Sequence, residues 1–141
     1  MTTNAERPLT DEEYRSLAEF RSALRRFLAF SEDAARAQGI TPAQHQLLLT
    51  VRGAEAAGRT PSLTEGAEHL QVRLHSAGEL VNRAVEHGLV ERLVDPGDAR
   101  RALVATTADG RDHLERLSKL HRRELRRFRT EMNQLLEPID D

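Results

Sequence analysis

Apolar residues recur at helical spacing through most of this chain. Leu17, Phe20, Leu24, Phe27 and Leu28 form one stripe, with arginines on the opposite face. Thr10 and Glu13 stand in capping-box spacing and Gly39 is a stop, so the first helix is expected from Thr10 to about Gln38. Before it, Met1 to Leu9 reads as a polar tail with Pro8 near its end. Thr41-Pro42-Ala43-Gln44 is a second helix start, with threonine at N-cap, proline at N1 and glutamine at N3. That helix is expected to reach about Ala57 with Leu47, Leu48 and Val51 inward, and Gly58-Arg59-Thr60-Pro61 forms the following loop.

The pattern then shortens. Ser62 and Glu65 repeat the capping-box spacing, and Leu63, Ala67 and Leu70 share one face of a short helix. Gln71, Val72 and Arg73 make a turn, with Val72 as the expected apolar plug between two crossing helices. The next helix covers about Leu74 to His87 and buries Ala77, Leu80, Val81 and Ala84. Its start is open: Arg73 is a poor N-cap, whereas Ser76 with Glu79 offers a second box. Gly88 ends it, tolerating the left-handed conformation at C′. Leu89 to Val94 and Leu103 to Thr106 read as paired strands, joined through Asp95-Pro96-Gly97-Asp98. Pro96 sets φ at the second position of that turn, and Gly97 is expected to supply positive φ at the third.

After the hairpin, Thr107 caps a helix from about Ala108 to Phe128, with Leu114, Leu117, Leu120, Leu125 and Phe128 as its apolar positions. Arg111, Arg116, Lys119, Arg122, Arg123, Arg126, Arg127 and Arg129 make it markedly basic. Such a run is either the solvated face of a helix or a flanking phosphate contact. Met132, Leu135, Leu136 and Ile139 indicate a separate final helix, ended by Pro138.

Two short helices, a tight turn and a hairpin in that order, from Ser62 to Thr107, form a winged helix-turn-helix, a module that reads DNA. The outer face of the second helix carries His75, Ser76, Glu79, Asn82, Arg83 and Glu86, donors and acceptors that reach base edges and phosphates in a major groove. Glu79 either accepts from a cytosine amino group or only caps its own helix. Arg100 and Arg101 leave the hairpin turn side by side, and guanidiniums there suit phosphates or a narrow minor groove.

Composition adds exclusions. The 141 residues fit one domain, no apolar run approaches the ~20 residues of a membrane span, and no signal-peptide pattern opens the chain, so a cytoplasmic location is expected. Without cysteine there is no disulfide, thiolate zinc site or thiol-based peroxide sensor. No two of the six histidines stand at the i, i+4 spacing with the companion acid that a helical zinc site needs, so no metal is expected. No phosphate-cradling glycine loop, Gly-x-Ser-x-Gly elbow or His-Glu-x-x-His is present, which speaks against an enzyme, and no cofactor is implied. The net charge of −2 is unusual for a DNA binder, and Arg73 to Arg101 holds five arginines against five acids. Phosphate binding follows where charge clusters, and moderate affinity that needs both halves of a dimer is expected.

Leu70-Gln71-Val72, Ser76, Leu80-Val81-Asn82-Arg83, Gly88-Leu89-Val90-Glu91-Arg92, Asp98-Ala99-Arg100 and Thr107-Ala108-Asp109-Gly110, in this order and spacing, resemble the multiple-antibiotic-resistance-regulator (MarR) family of bacterial repressors. The resemblance covers nearly the whole chain. It implies a mainly α fold with a small β-hairpin wing: one domain over 1–141, with dimerisation helices at about 10–38 and 108–139 and a DNA-binding lobe at about 41–107. It further implies a homodimer on a pseudo-palindromic operator of double-stranded DNA, with Asp98 fixing Arg100 as it enters the minor groove. A small-molecule effector would bind in a cleft beside the first two helices, where His45 either orients an acidic ligand or is a packed histidine. The DNA-contacting candidates are Arg73, His75, Ser76, Glu79, Asn82, Arg83, Asp98, Arg100 and Arg101. The chain departs from the family at Arg73, where a serine cap is common, and at Ala77-Gly78, where larger or hydroxylated residues are common. The expected function is a ligand-responsive transcriptional repressor; the alternative is a winged helix used for protein interaction or dimerisation without DNA.

Overall fold

The computed structural model describes residues 6–139, so residues 1–5 of the expected polar tail lie outside the described residues. The elements run α1 (Asp11–Ala37), α2 (Pro42–Ala56), α3 (Leu63–Leu70), α4 (Leu74–Glu86), β1 (Val90–Asp95), β2 (Asp98–Thr106) and α5 (Ala108–Leu136). This is a mainly helical winged helix with one antiparallel hairpin, as the pattern predicts.

The caps explain the helix starts. Glu13 N–H donates to Thr10 Oγ1 at 3.2 Å and Thr10 N–H donates to the Glu13 carboxylate at 3.1 Å, which closes the box at the head of α1. The Arg7 guanidinium lies 2.6 Å from that carboxylate and, with the cap, lowers its pKa to about 2. Thr41 and Gln44 make the same reciprocal pair at 3.1 and 3.0 Å. Ser62 Oγ accepts from Glu65 N–H at 3.1 Å at the head of α3. Of the two possible starts for α4, the chain uses Leu74, with Arg73 at N-cap making no side-chain bond.

Three expectations are corrected. Val72 does not plug the helix crossing but stands 41% exposed. Gln71 takes left-handed φ 58, and Val72 N–H to Ala67 O at 3.0 Å with Gln71 N–H to Glu68 O at 3.2 Å closes a Schellman motif. The turn therefore uses Val72 through its backbone, while Leu63, Leu70 and Leu80 pack against the core. Gly97 does not adopt positive φ; its N–H donates to Asp95 Oδ1 at 2.9 Å, so an Asx turn shapes the wing tip. Finally, α5 continues unbroken from Ala108 to Leu136 where two helices were expected. Residues 129–131 contain neither proline nor glycine, and Thr130 Oγ1 satisfies itself on Arg126 O at 3.1 Å.

The chain divides into two compact units, Ala34–Ser118 and residues 6–33 with 119–139. In the first, Leu48, Val51, Val81, Leu89, Val90 and Leu117 form the core. The hairpin roots itself there, because Val104 N–H donates to Pro61 O at 2.9 Å and Ser62 bridges Leu103. In the second unit, Ala23 and Met132 are buried, Phe27 lies 5.1 Å from Phe128 between ring centroids, and His121 Nε2 lies 2.8 Å from Ser31 Oγ.

Gly78 sits inside α4 with no special backbone need. A Cβ there would meet only Arg92 Nη2 and Leu63 Cδ2, each at 3.9 Å. Gly78→Ala is expected to stabilise the fold by about 1 kcal/mol, since alanine loses less backbone freedom in a helix. A thermal melt should show Tm rising by about 4 °C; an unchanged or lower Tm would show that Gly78 is there for contact rather than by tolerance.

Candidate nucleic-acid interface

α4 divides cleanly into two faces. Ala77, Val81 and Ala84 are buried, which fixes the rotation of the helix about its axis. That rotation leaves Arg73, His75, Ser76, Glu79, Asn82 and Arg83 exposed. His75 Nε2 lies 3.3 Å from Glu79 Oε1 one turn on, so Glu79 faces its neighbouring histidine. Arg73 and Arg83 have no acid partner among the described residues and are free for an external anion. Arg92 of β1, which the sequence reading did not single out, donates to Gly78 O at 3.4 Å and lies along the same helix.

The wing is shaped by an irregular register. β1 and β2 pair Val94 with Ala102 but Asp95 with Asp98, so residues 99–101 bulge from the ladder. Asp98 Oδ1 accepts the Arg100 N–H at 3.0 Å and lies 3.5 Å from Arg100 Nε. The Arg100 side chain is nonetheless 94% exposed. The carboxylate therefore orients the arginine without covering it. Arg101 goes another way: Nη2 meets Glu65 Oε1 at 2.9 Å and Nη1 lies 3.8 Å from Asp95 Oδ2. Asp98 and Arg100 are thus brought together, whereas Arg100 and Arg101 part.

Glu65 is the residue whose role here the sequence did not reveal. Arg59 of the preceding loop donates to its Oε2 at 2.7 Å while Arg101 holds Oε1. The Arg59 hydrogen bond, more than any other influence, holds its carboxyl below the usual range. As the third residue of a helix it looked like a cap and nothing more.

Elsewhere, His45 is 4% exposed on α2. The neighbouring Gln44 Nε2 donates to His87 Nδ1 at 2.7 Å and ties α2 to the end of α4. Along α5, Arg111 donates to Thr106 O at 2.9 Å and Arg116 to Gln38 Oε1 at 2.7 Å. Arg122, Arg123, Arg126, Arg127 and Arg129 are exposed. Among the described residues no helix is long and apolar enough to cross a membrane, and no three His, Asp or Glu side chains gather as metal ligands would.

Comparison with known proteins agrees with this geometry. Residues 38–101 match the family model described as MarR family. AbsC, a MarR family transcriptional regulator from Streptomyces coelicolor, superposes with a TM-score of 0.73 at 20% identity, over 94% of this chain and 95% of that one. RV1404 from Mycobacterium tuberculosis gives 0.69 at 25% identity, over 89% and 83%. A mutant MarR from E. coli complexed with operator DNA gives 0.63 at 22% identity, over 95% and 89%. No curated protein matches the sequence.

Proposed function

For a chain that belongs to the MarR family through its residues 38–101, we propose sequence-specific binding of double-stranded DNA as a homodimeric transcriptional regulator. The observation that carries this reading is α4: its buried face is apolar, while its exposed face presents His75, Ser76, Asn82 and Arg83 beside a wing that holds out Arg100. α4 would lie in the major groove and Arg100 in the adjacent minor groove, whose potential favours a guanidinium. Asp98 pre-orients that guanidinium, so less of its freedom is lost on binding.

Dimerisation is supported by apolar side chains left exposed in the unit of residues 6–33 and 119–139. Leu17, Leu28, Leu120, Leu125 and Leu136 are all among them. Two recognition helices would then meet half-sites about one helical turn apart, ~34 Å, and occlude a promoter. An effector that favours a different dimer spacing would release the DNA, by differential affinity for the two states. If an acidic ligand is that effector, His45 is its candidate partner on α2, and reaching it requires the helix surroundings to open.

Selection from a random duplex pool, followed by fluorescence anisotropy at two salt concentrations, tests the reading. A palindromic site is expected, with affinity falling as salt rises. Arg100→Ala should weaken that binding by at least about 1 kcal/mol. If no sequence is enriched and binding shows no salt dependence, DNA recognition is wrong, and the winged helix is to be tested against protein partners.

A further inference from the structure

We propose that Glu65 is a positioning residue for the wing, a carboxylate clamp on Arg101 and Arg59 that sets the direction in which Arg100 is presented. The inference rests on the DNA-binding reading above and names a residue outside the surface that would touch DNA.

The wing is attached at its root by backbone: the Val104 N–H to Pro61 O bond and the Ser62–Leu103 bridge. Its far part, residues 99–101, lies outside the regular ladder. There the cross-link from β2 back to a helix is a side-chain bond, Arg101 Nη2 to Glu65 Oε1 at 2.9 Å. The other oxygen of the same carboxylate receives Arg59 at 2.7 Å, so Glu65 is itself held from the opposite side. Ser62 Oγ, accepting from the Glu65 N–H, fixes the backbone from which the carboxylate projects. Asp95 of β1 adds a longer contact to Arg101 at 3.8 Å. Arg101 is the immediate neighbour of Arg100, and pinning one sets the backbone direction of the other.

Exposed ion pairs of this kind add little to global stability. Their effect is on orientation, which appears in binding as pre-organisation. The alternative role for Glu65 is plain charge. An acid beside DNA repels phosphates, and its neutralisation would free two guanidiniums, so every duplex would bind more tightly. The two roles differ in what they do to discrimination between operator and random DNA.

The test measures Kd for the selected operator and for a scrambled duplex, with wild type, Glu65→Gln, Arg101→Gln and the double variant. Glutamine keeps the N3 capping capacity, so α3 is preserved, and Arg101→Gln, on an exposed strand position, removes the clamp without touching α3. The operator-to-scrambled ratio is expected to fall on the order of tenfold in each single variant and no further in the double, as for groups sharing one network. Equal tightening on both duplexes, an unchanged ratio, or losses that add in the double variant would each overturn the clamp. Absence of any discrimination by wild type would instead overturn the DNA-binding reading itself.

Discussion

Gly110→Ala is expected to lower the free energy of unfolding by about 3 kcal/mol, at the upper end of the usual cost of overpacking. The first turn of α5 is laid directly on the chain leaving α4. Thr107 N–H donates to Leu89 O at 3.1 Å, and the Thr107 hydroxyl accepts the Gly110 N–H at 3.0 Å while lying within hydrogen-bond reach of Gly88 O and Leu89 O. A Cβ on Gly110 would fall 2.1 Å from Leu89 O and 3.0 Å from Leu48 Cδ2. Neither neighbour can yield cheaply. Leu89 is buried, and its N–H is fixed on Ala84 O at 2.9 Å; Leu48 is fully enclosed. To admit the methyl, the α5 cap must lift from the sheet and give up its bonds to Leu89. Urea unfolding followed by circular dichroism measures the loss. A midpoint equal to wild type would mean that the close approach is not present in solution. The opposite sign expected for Gly78→Ala makes the pair informative: the same methyl costs or gains according to what stands 2.1 or 3.9 Å away.

That contrast also marks what the sequence can and cannot express. Gly88 was readable as a helix stop, and it takes φ 74 where one was expected. The boxes Thr10–Glu13 and Thr41–Gln44 were readable because a cap is written within four residues. The stripe Ala77, Val81 and Ala84 gave the buried face of α4 and so the residues opposite it. What failed involved local choices between equivalent solutions. Gly97 could supply positive φ or let Asp95 shape the turn, and the carboxylate was used. Val72 could fill the crossing or follow a Schellman closure, and a left-handed Gln71 selected the second. Arg101 and Glu65 are 36 positions apart, and no periodicity relates them. Pairs of that kind become visible only when the fold brings a strand beside a helix.

Arg83→Ala should weaken operator binding by about 1 kcal/mol per half-site and about twice that for a dimer, roughly thirtyfold in Kd. Val81 and Ala84 are buried on either side of it in sequence, so the backbone of α4 is held by the core whatever side chain stands at 83. Arg83 itself is exposed in the last turn of the helix and has no acid to leave behind. Recognition helices read base edges with their N-terminal residues. If α4 is the reading helix, as proposed, those are His75 and Ser76, and Arg83, about two turns on, would meet a phosphate. The loss should therefore be nearly the same on operator and scrambled duplexes, and the dependence of log affinity on log salt should flatten by about one per protomer. Anisotropy across a salt series, with a thermal melt as control for folding, separates the cases. A loss confined to the operator, with the salt slope intact, would move Arg83 from the backbone to a base edge; an affinity within twofold of wild type on both duplexes would remove it from the interface. On the proposed docking, with Arg100 approaching through the wing and Arg83 through α4, their losses should add in the double variant. Strong non-additivity would mean that wing and helix engage DNA as one rigid unit.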